Sequence, residues 1–191
     1  MRRLLIVVGL LALGSAASAQ ELSRYLELRP LIGAYIPTGD QRDSFDDAAI
    51  YGMQVGYEYR PTLHFVGLFA WSPAHNNFVA VDDAVNLFQY DVGAEFNLVR
   101  ELSENWQLKP FLGLGVGGRT YNYDSIDLAT DTRVAGYAVV GTEFQYHYVA
   151  IRLEGRNYLS DFKDPMIGGT NARHDLGFSL GLAYHIGRHN R

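Results

Sequence analysis

The chain has 191 residues, no cysteine and a formal charge of −5. Absence of cysteine rules out a disulfide staple and thiol chemistry, and an acidic chain without a basic aromatic patch is a poor nucleic-acid binder. The mean hydropathy of −0.08 looks low for a membrane protein, yet it is the average expected when apolar and polar residues alternate.

Met1-Arg2-Arg3 leads into an apolar run from Leu4 to Leu13, closed by Ala17-Ser18-Ala19. A positive start, a short apolar middle and an A-x-A ending make a secretory signal peptide over 1–19, cut after Ala19. The run is shorter than the roughly 20 residues of a spanning helix. The rest of a twin-arginine motif is missing, and no cysteine follows the cut to carry a lipid anchor. Residues 20–191 then form one domain. Loss of Arg2 and Arg3 takes its formal charge from −5 to −7, with 14 basic residues facing 21 acidic ones.

Eight strands follow in chain order, recognised by a period of two. Over Tyr25 to Ile36, Leu26, Leu28, Ile32, Ala34 and Ile36 oppose Glu27, Arg29 and Gly33. Over Ile50 to Tyr59, Tyr51, Met53, Val55, Tyr57 and Tyr59 oppose Gly52, Gln54, Gly56 and Glu58. Leu63 to Trp71 is the least regular, because His64, Val66 and Leu68 blur its polar phase. Leu87 to Leu98 is the clearest, with Phe88, Tyr90, Val92, Ala94, Phe96 and Leu98 alternating with Gln89, Asp91, Gly93, Glu95 and Asn97.

In Trp106 to Gly118, Trp106, Leu108, Leu112, Leu114 and Val116 oppose Gln107, Lys109, Gly113, Gly115 and Gly117. Thr132 to Tyr146 puts Arg133, Gly141 and Glu143 in one phase. Tyr148 to Tyr158 sets Val149, Ile151 and Leu153 against Arg152, Glu154 and Arg156. The last segment, Leu176 to Ile186, alternates strictly: Leu176, Phe178, Leu180, Leu182, Tyr184 and Ile186 share a face without a charge. Such a length, about eleven residues, suits one tilted bilayer crossing.

The connections sort by parity. Pro37–Ala49, Ser72–Asn86, Arg119–Asp131 and Leu159–Arg173 are long and polar, whereas Arg60-Pro61-Thr62, Val99–Asn105 and the turn at His147 are shorter. Long loops at one end and short turns at the other match an outer-membrane barrel, with the short turns and both termini in the periplasm.

Alternation alone also fits a soluble barrel with an apolar interior. Glycine separates the two. Gly33, Gly52, Gly56, Gly93, Gly113, Gly115, Gly117, Gly141, Gly177 and Gly181 fall in the polar phase, with Gly136 and Gly155 as exceptions. The interior of about eight strands is only just wide enough for side chains. Small residues therefore belong inside, and the bulky apolar face meets lipid. In hydrocarbon a free strand edge has no water to bond, so the sheet must close, first strand to last. The fold class expected is all-β, a closed antiparallel up-and-down transmembrane β-barrel of eight strands.

Two side-chain sets follow. Glu27, Arg29, Glu58, Asp91, Glu95, Lys109, Arg119, Arg133, Glu143, Arg152, Glu154, Arg156 and Asp175 should point inward and pair, because an isolated charge away from water is costly. Tyr25, Tyr59, Phe96, Trp106, Tyr146 and Tyr184 near the periplasmic ends, and Tyr35, Tyr51, Trp71, Phe88, Tyr121 and Tyr158 near the outer ends, are expected as aromatic girdles.

Ser179-x-Gly181-x-x-Tyr184-x-Ile186 looks like the C-terminal signal read by the outer-membrane assembly machinery, and Arg152-Leu153-Glu154-Gly155-Arg156-Asn157-Tyr158-Leu159 looks like a seventh-strand motif of small barrels. From about Tyr25 to Ile186 the chain resembles the OmpA/OmpX-type outer-membrane β-barrel family. It departs from that pattern in continuing past Ile186 to Arg191 and in carrying no peptidoglycan-binding domain. The resemblance implies Sec-dependent export to the outer membrane of a Gram-negative-type bacterium. The partners it implies are outer-membrane lipid, lipopolysaccharide and the assembly machinery, around a monomer.

Candidate chemistry is thin. Some barrels of this size modify lipid A, and Ser160, Asp161, His174 and Asp175 lie near the outer end of the last hairpin. Acyl transfer needs a nucleophile, a base and an orienting acid within reach, but Arg173-His174-Asp175 has no serine beside it. Asp40, Asp43, Asp46, Asp47, Asp82, Asp83, Asp124, Asp127 and Asp131 crowd the outer loops, without EF-hand spacing. They are expected as a solvated surface. His64, His75, His147, His185 and His189 are scattered and suggest no metal set, and Gly113 to Gly118 is the small inner face of a strand rather than a nucleotide loop. No catalytic residue, cofactor or metal is expected. The function expected is structural or surface-interacting, with a polar, ion-paired interior. The alternatives are a narrow channel, a path for small apolar solutes, or a lipid A-modifying enzyme.

Overall fold

Strands that alternate in this way have one stable arrangement in lipid, a ring in which every edge is paired. The computed structural model describes residues 25–38, 47–76, 83–123, 131–163 and 170–186. The expected leader and most of the acidic loop residues lie outside the described residues.

The strands are β1 (Leu26–Pro37), β2 (Ala48–Arg60), β3 (Leu63–Asn76), β4 (Asp83–Asn97), β5 (Arg100–Ser103), β6 (Trp106–Tyr123), β7 (Asp131–Tyr146), β8 (Val149–Lys163) and β9 (Thr170–Ile186). The sheet order is β4-β3-β2-β1-β9-β8-β7-β6-β5, and β4 also pairs with β6. That pairing closes the ring from Val85↔Tyr123 to Asn97↔Phe111. Short β5 pairs only with the lower end of β6, so the barrel has eight staves. The first and last strands pair from Leu26↔Ile186 to Pro37↔Asp175. That ladder skips Arg29 and Pro30, where the proline has no N–H to give. The β7–β8 turn is tight enough to put His147 at a φ of 52°, in the left-handed region.

The strands outrun their sequence signal at the outer end. β3 reaches Asn76 rather than Trp71, β6 reaches Tyr123 rather than Gly118, and β9 begins at Thr170 rather than Leu176. Backbone pairing continues above the membrane, where neither face meets lipid and the apolar period has no cause. At the periplasmic end, the stretch expected as a plain turn over Val99–Asn105 contains β5 and forms a hairpin with β6.

The two faces separate sharply. Leu114 is 68 % and Ile32 59 % exposed, whereas Arg29 is 1 % and Arg119 0 % exposed. Such an inside-out distribution suits a lipid solvent. The interior is layered rather than uniformly polar. Toward the outer end it is mainly apolar, with Leu31, Tyr35, Ile50, Leu68, Leu87 and Tyr121 in one cluster beside the buried Arg119–Asp175 pair. Lower down it is ionic. The inward glycines make room for inward rings: a Cβ on Gly115 or Gly93 would run into the Tyr137 side chain.

Candidate functional site

The ionic part of the interior is built in tiers by residues two apart on each stave. The lowest tier joins Glu27 of β1, Glu58 of β2, His64 of β3, Lys109 of β6, Glu143 and Gln145 of β7 and His185 of β9. His64 Nε2 stands 3.0 Å from Glu58 Oε2. Lys109 Nζ donates to the Tyr25 hydroxyl at 3.0 Å and lies 4.0 Å from Glu58 and 3.9 Å from Glu143. His185 Nε2 is 3.7 Å from Glu27 and 3.8 Å from Glu143, and its Nδ1 is 2.8 Å from Gln145 Nε2.

Glu154 of β8 is the hub of the middle tier. It accepts from Gln54 Nε2 at 2.9 Å, Arg152 Nε at 2.9 Å, Arg156 Nε at 2.9 Å and Ser179 Oγ at 3.1 Å. Arg152 also reaches Glu95 at 2.5 Å, and Arg156 reaches Asp91 at 3.2 Å. Arg29 links the tiers through Glu27, Gln54 and Glu143. Aromatic faces cover the guanidinium groups: Arg152 lies 3.5 Å from the Phe111 centroid and Arg156 4.7 Å from that of Tyr137. In the upper tier Arg119 pairs with Asp175 between the rings of Tyr35 and Tyr158, at 4.9 and 4.6 Å.

The inward charges expected from the sequence thus meet in one network. Arg133 is the partial exception: it is half-buried at the outer end, opposite Arg119 in the register. The sequence reading placed Gln54 in the polar phase but did not assign Gln54, Gln145, Ser179, His64 or His185 to the ionic network. The parity of each strand was the signal that places them.

Four of the expected girdle residues are corrected, Tyr121 among them. Tyr25, Tyr35 and Tyr158 are buried inside the barrel. Tyr25 and Tyr35 share the phase of Glu27 and Arg29, and Tyr158 that of Arg152 and Arg156, so parity turns them inward although they stand near strand ends. The Tyr158 hydroxyl donates to Asp91 at 2.7 Å. Tyr121 is also buried within the interior cluster. Tyr51, Trp71, Phe96, Trp106, Tyr146 and Tyr184 are exposed on the outer face, and Tyr59 is half-buried. Tyr51 and Trp71 lie 5.9 Å apart, and Trp106 and Tyr146 4.8 Å apart, centroid to centroid. In the C-terminal segment Ser179 and Gly181 face the lumen, while Tyr184 and Ile186 are exposed outward.

No acid–base pair forms from His174 and Asp175. As consecutive strand residues they take opposite faces: His174 is exposed, while Asp175 is buried against Arg119. Among the described residues one group of possible metal ligands exists, Glu27, Glu143 and His185, with ligand atoms within 4.8 Å of one another. His185 is therefore not isolated, as the scattered histidines suggested. Arg29 contacts both of these carboxylates and Lys109 lies beside Glu143, so the tier already carries its counter-cations. On the wall a groove of about 780 Å³ is lined mainly by apolar residues, among them Ile32, Tyr51, Val140, Leu153, Phe178 and Leu180.

This fold recurs in solved structures. Outer membrane protein OprG from Pseudomonas aeruginosa superposes with a TM-score of 0.63 at 11% identity, covering 86% of this chain and 96% of that one. Neisserial surface protein A gives 0.62 at 12% identity, covering 83% and 96%. The N-terminal β-barrel domain of P. aeruginosa OprF gives 0.51 at 13% identity, covering 84% and 97%. At such identity the likeness is one of fold. A comparison with curated proteins finds no match. The profile of the outer membrane protein beta-barrel domain, however, matches residues 5–190. The closed ring with its greasy outside and ionic inside, together with that match, makes this chain a member of the outer membrane protein beta-barrel domain family and an outer-membrane protein.

Proposed function

We propose that this protein is a structural or surface-interaction barrel, without catalysis and without a diffusive pore. One observation carries the reading: Glu154 and the charged and amide side chains paired around it, from Glu95 and Asp91 on one wall to Arg29 and Gln54 on the other, are at most 7 % exposed. Buried ions held by several partners are costly to separate, so they obstruct the lumen. In this reading residues 1–19 are removed during Sec-dependent export. Ser179, Gly181, Tyr184 and Ile186 are the segment read by the assembly machinery. Lipopolysaccharide surrounds a monomeric barrel, and the outer loops present its contacts.

Planar-bilayer recording tests it. The expected result is no stepwise porin-like conductance. Regular open-channel steps in the unmodified protein would replace this reading with a channel. A path for small apolar solutes is the second reading, supported by the apolar upper lumen and the wall groove. It predicts saturable uptake of such solutes into vesicles without ion conductance.

A further inference from the structure

The β5–β6 hairpin stands apart from the rest of the barrel. Every residue from Leu98 to Trp106 is exposed, including Leu98 at 57 % and Leu102 at 58 %. Two constraints fix its surroundings. Its far edge is unpaired among the described residues, because β3 begins at Leu63, opposite Phe96 of β4, and no described strand pairs with β5 on that side. An open backbone edge is not tolerated in hydrocarbon. Yet the hairpin continues the lipid-facing wall: Trp106 pairs with outward Tyr146, and Arg100 lies opposite Leu108. The layer that suits both an open edge and apolar side chains is the headgroup region, where indole rings concentrate.

We propose that the Leu98–Trp106 hairpin is a binding surface for phospholipid of the periplasmic leaflet. Leu98, Leu102 and Trp106 lie at the level of the glycerol esters, and the Arg100 guanidinium takes a lipid phosphate. Glu101, paired with Gln107 on the opposite phase, faces water. Continuity with the lipid-facing wall favours lipid over a protein as the occupant, and Arg100 shares the outward phase of Leu108 while Glu101 takes the other.

The chain has two tryptophans, which makes the site directly readable. A variant with Trp71→Phe, Trp106→Phe and Leu102→Trp carries a single reporter on β5. Heat-modifiable electrophoretic migration confirms that it folds. In phosphatidylethanolamine–phosphatidylglycerol vesicles its emission is expected to be blue-shifted. Lipids brominated close to the ester should quench it more than lipids brominated at the chain end. Water-like emission, open to acrylamide and indifferent to brominated lipid, overturns the proposal and leaves the hairpin free for a periplasmic protein. If the triple variant does not fold, Trp71→Phe alone reports from Trp106 under the same criteria. Adding Arg100→Glu should raise acrylamide quenching about twofold in vesicles containing phosphatidylglycerol, as expected for loss of one anionic-lipid contact. An unchanged signal there refutes the phosphate contact.

Discussion

Glu154→Gln preserves side-chain size and removes one charge from the centre of the lumen. Arg152 Nε and Arg156 Nε each lose a charged acceptor at 2.9 Å. Hydrogen bonds to charged groups contribute about 1.5–3 kcal/mol each, so two amount to about 3–6 kcal/mol. Both arginines keep a second partner, Glu95 at 2.5 Å and Asp91 at 3.2 Å. That lowers the expected loss to about 3–5 kcal/mol, the range for breaking a buried pair. The assay is equilibrium urea unfolding in phosphatidylcholine bilayers, followed by tryptophan emission. Arg156→Gln should be costly by itself, and the double variant should lose about 1–3 kcal/mol less than the two single losses together. A loss below about 1 kcal/mol for Glu154→Gln, typical of a solvated surface pair, would refute the reasoning. The lumen would then be wet and its ions screened.

The corrected aromatic assignment predicts a contrast. Tyr158→Phe leaves Asp91 without the hydroxyl that bonds it at 2.7 Å and should cost about 1–3 kcal/mol, whereas Tyr184→Phe on the outer face should stay within about 0.5 kcal/mol. Leu114→Arg on the lipid face should cost about 2–4 kcal/mol in the same unfolding assay, if Leu114 sits near the bilayer midplane. Gly115→Val drives a side chain into the Tyr137 ring. It should cost about 1–3 kcal/mol by overpacking, and Tyr137→Ala in the same chain should recover part of the loss.

Most of the ring was legible because lipid imposes a rule on each residue. Where β4 or β9 crosses the membrane, one face must be apolar, and Val92, Phe96, Leu180 and Tyr184 record it. Where that rule lapses, reading failed. The outer ends of β3, β6, β8 and β9 continue the backbone pairing without an outward apolar period. Around β5, Leu98, Val99 and Leu102 are all exposed and follow no alternation. Tyr25, Tyr35, Tyr121 and Tyr158 were misplaced because the chemistry of tyrosine suits an interface as well as a polar interior; only their phase decides. Gln54 and Gln145 carry no charge to attract notice, although their bonds tie charged neighbours together.

Joining β1 to β9 places a condition on timing. Removing the residues from Thr170 onward would strip partners from β1 between Leu26 and Pro37 and from β8 between Val149 and Lys163, leaving two bare edges facing oil. The stave that joins β8 to β1 is therefore the one that permits insertion. Until it pairs, the other staves have no stable resting place in the bilayer. A truncation that removes β9 should then be as damaging as one that removes β1.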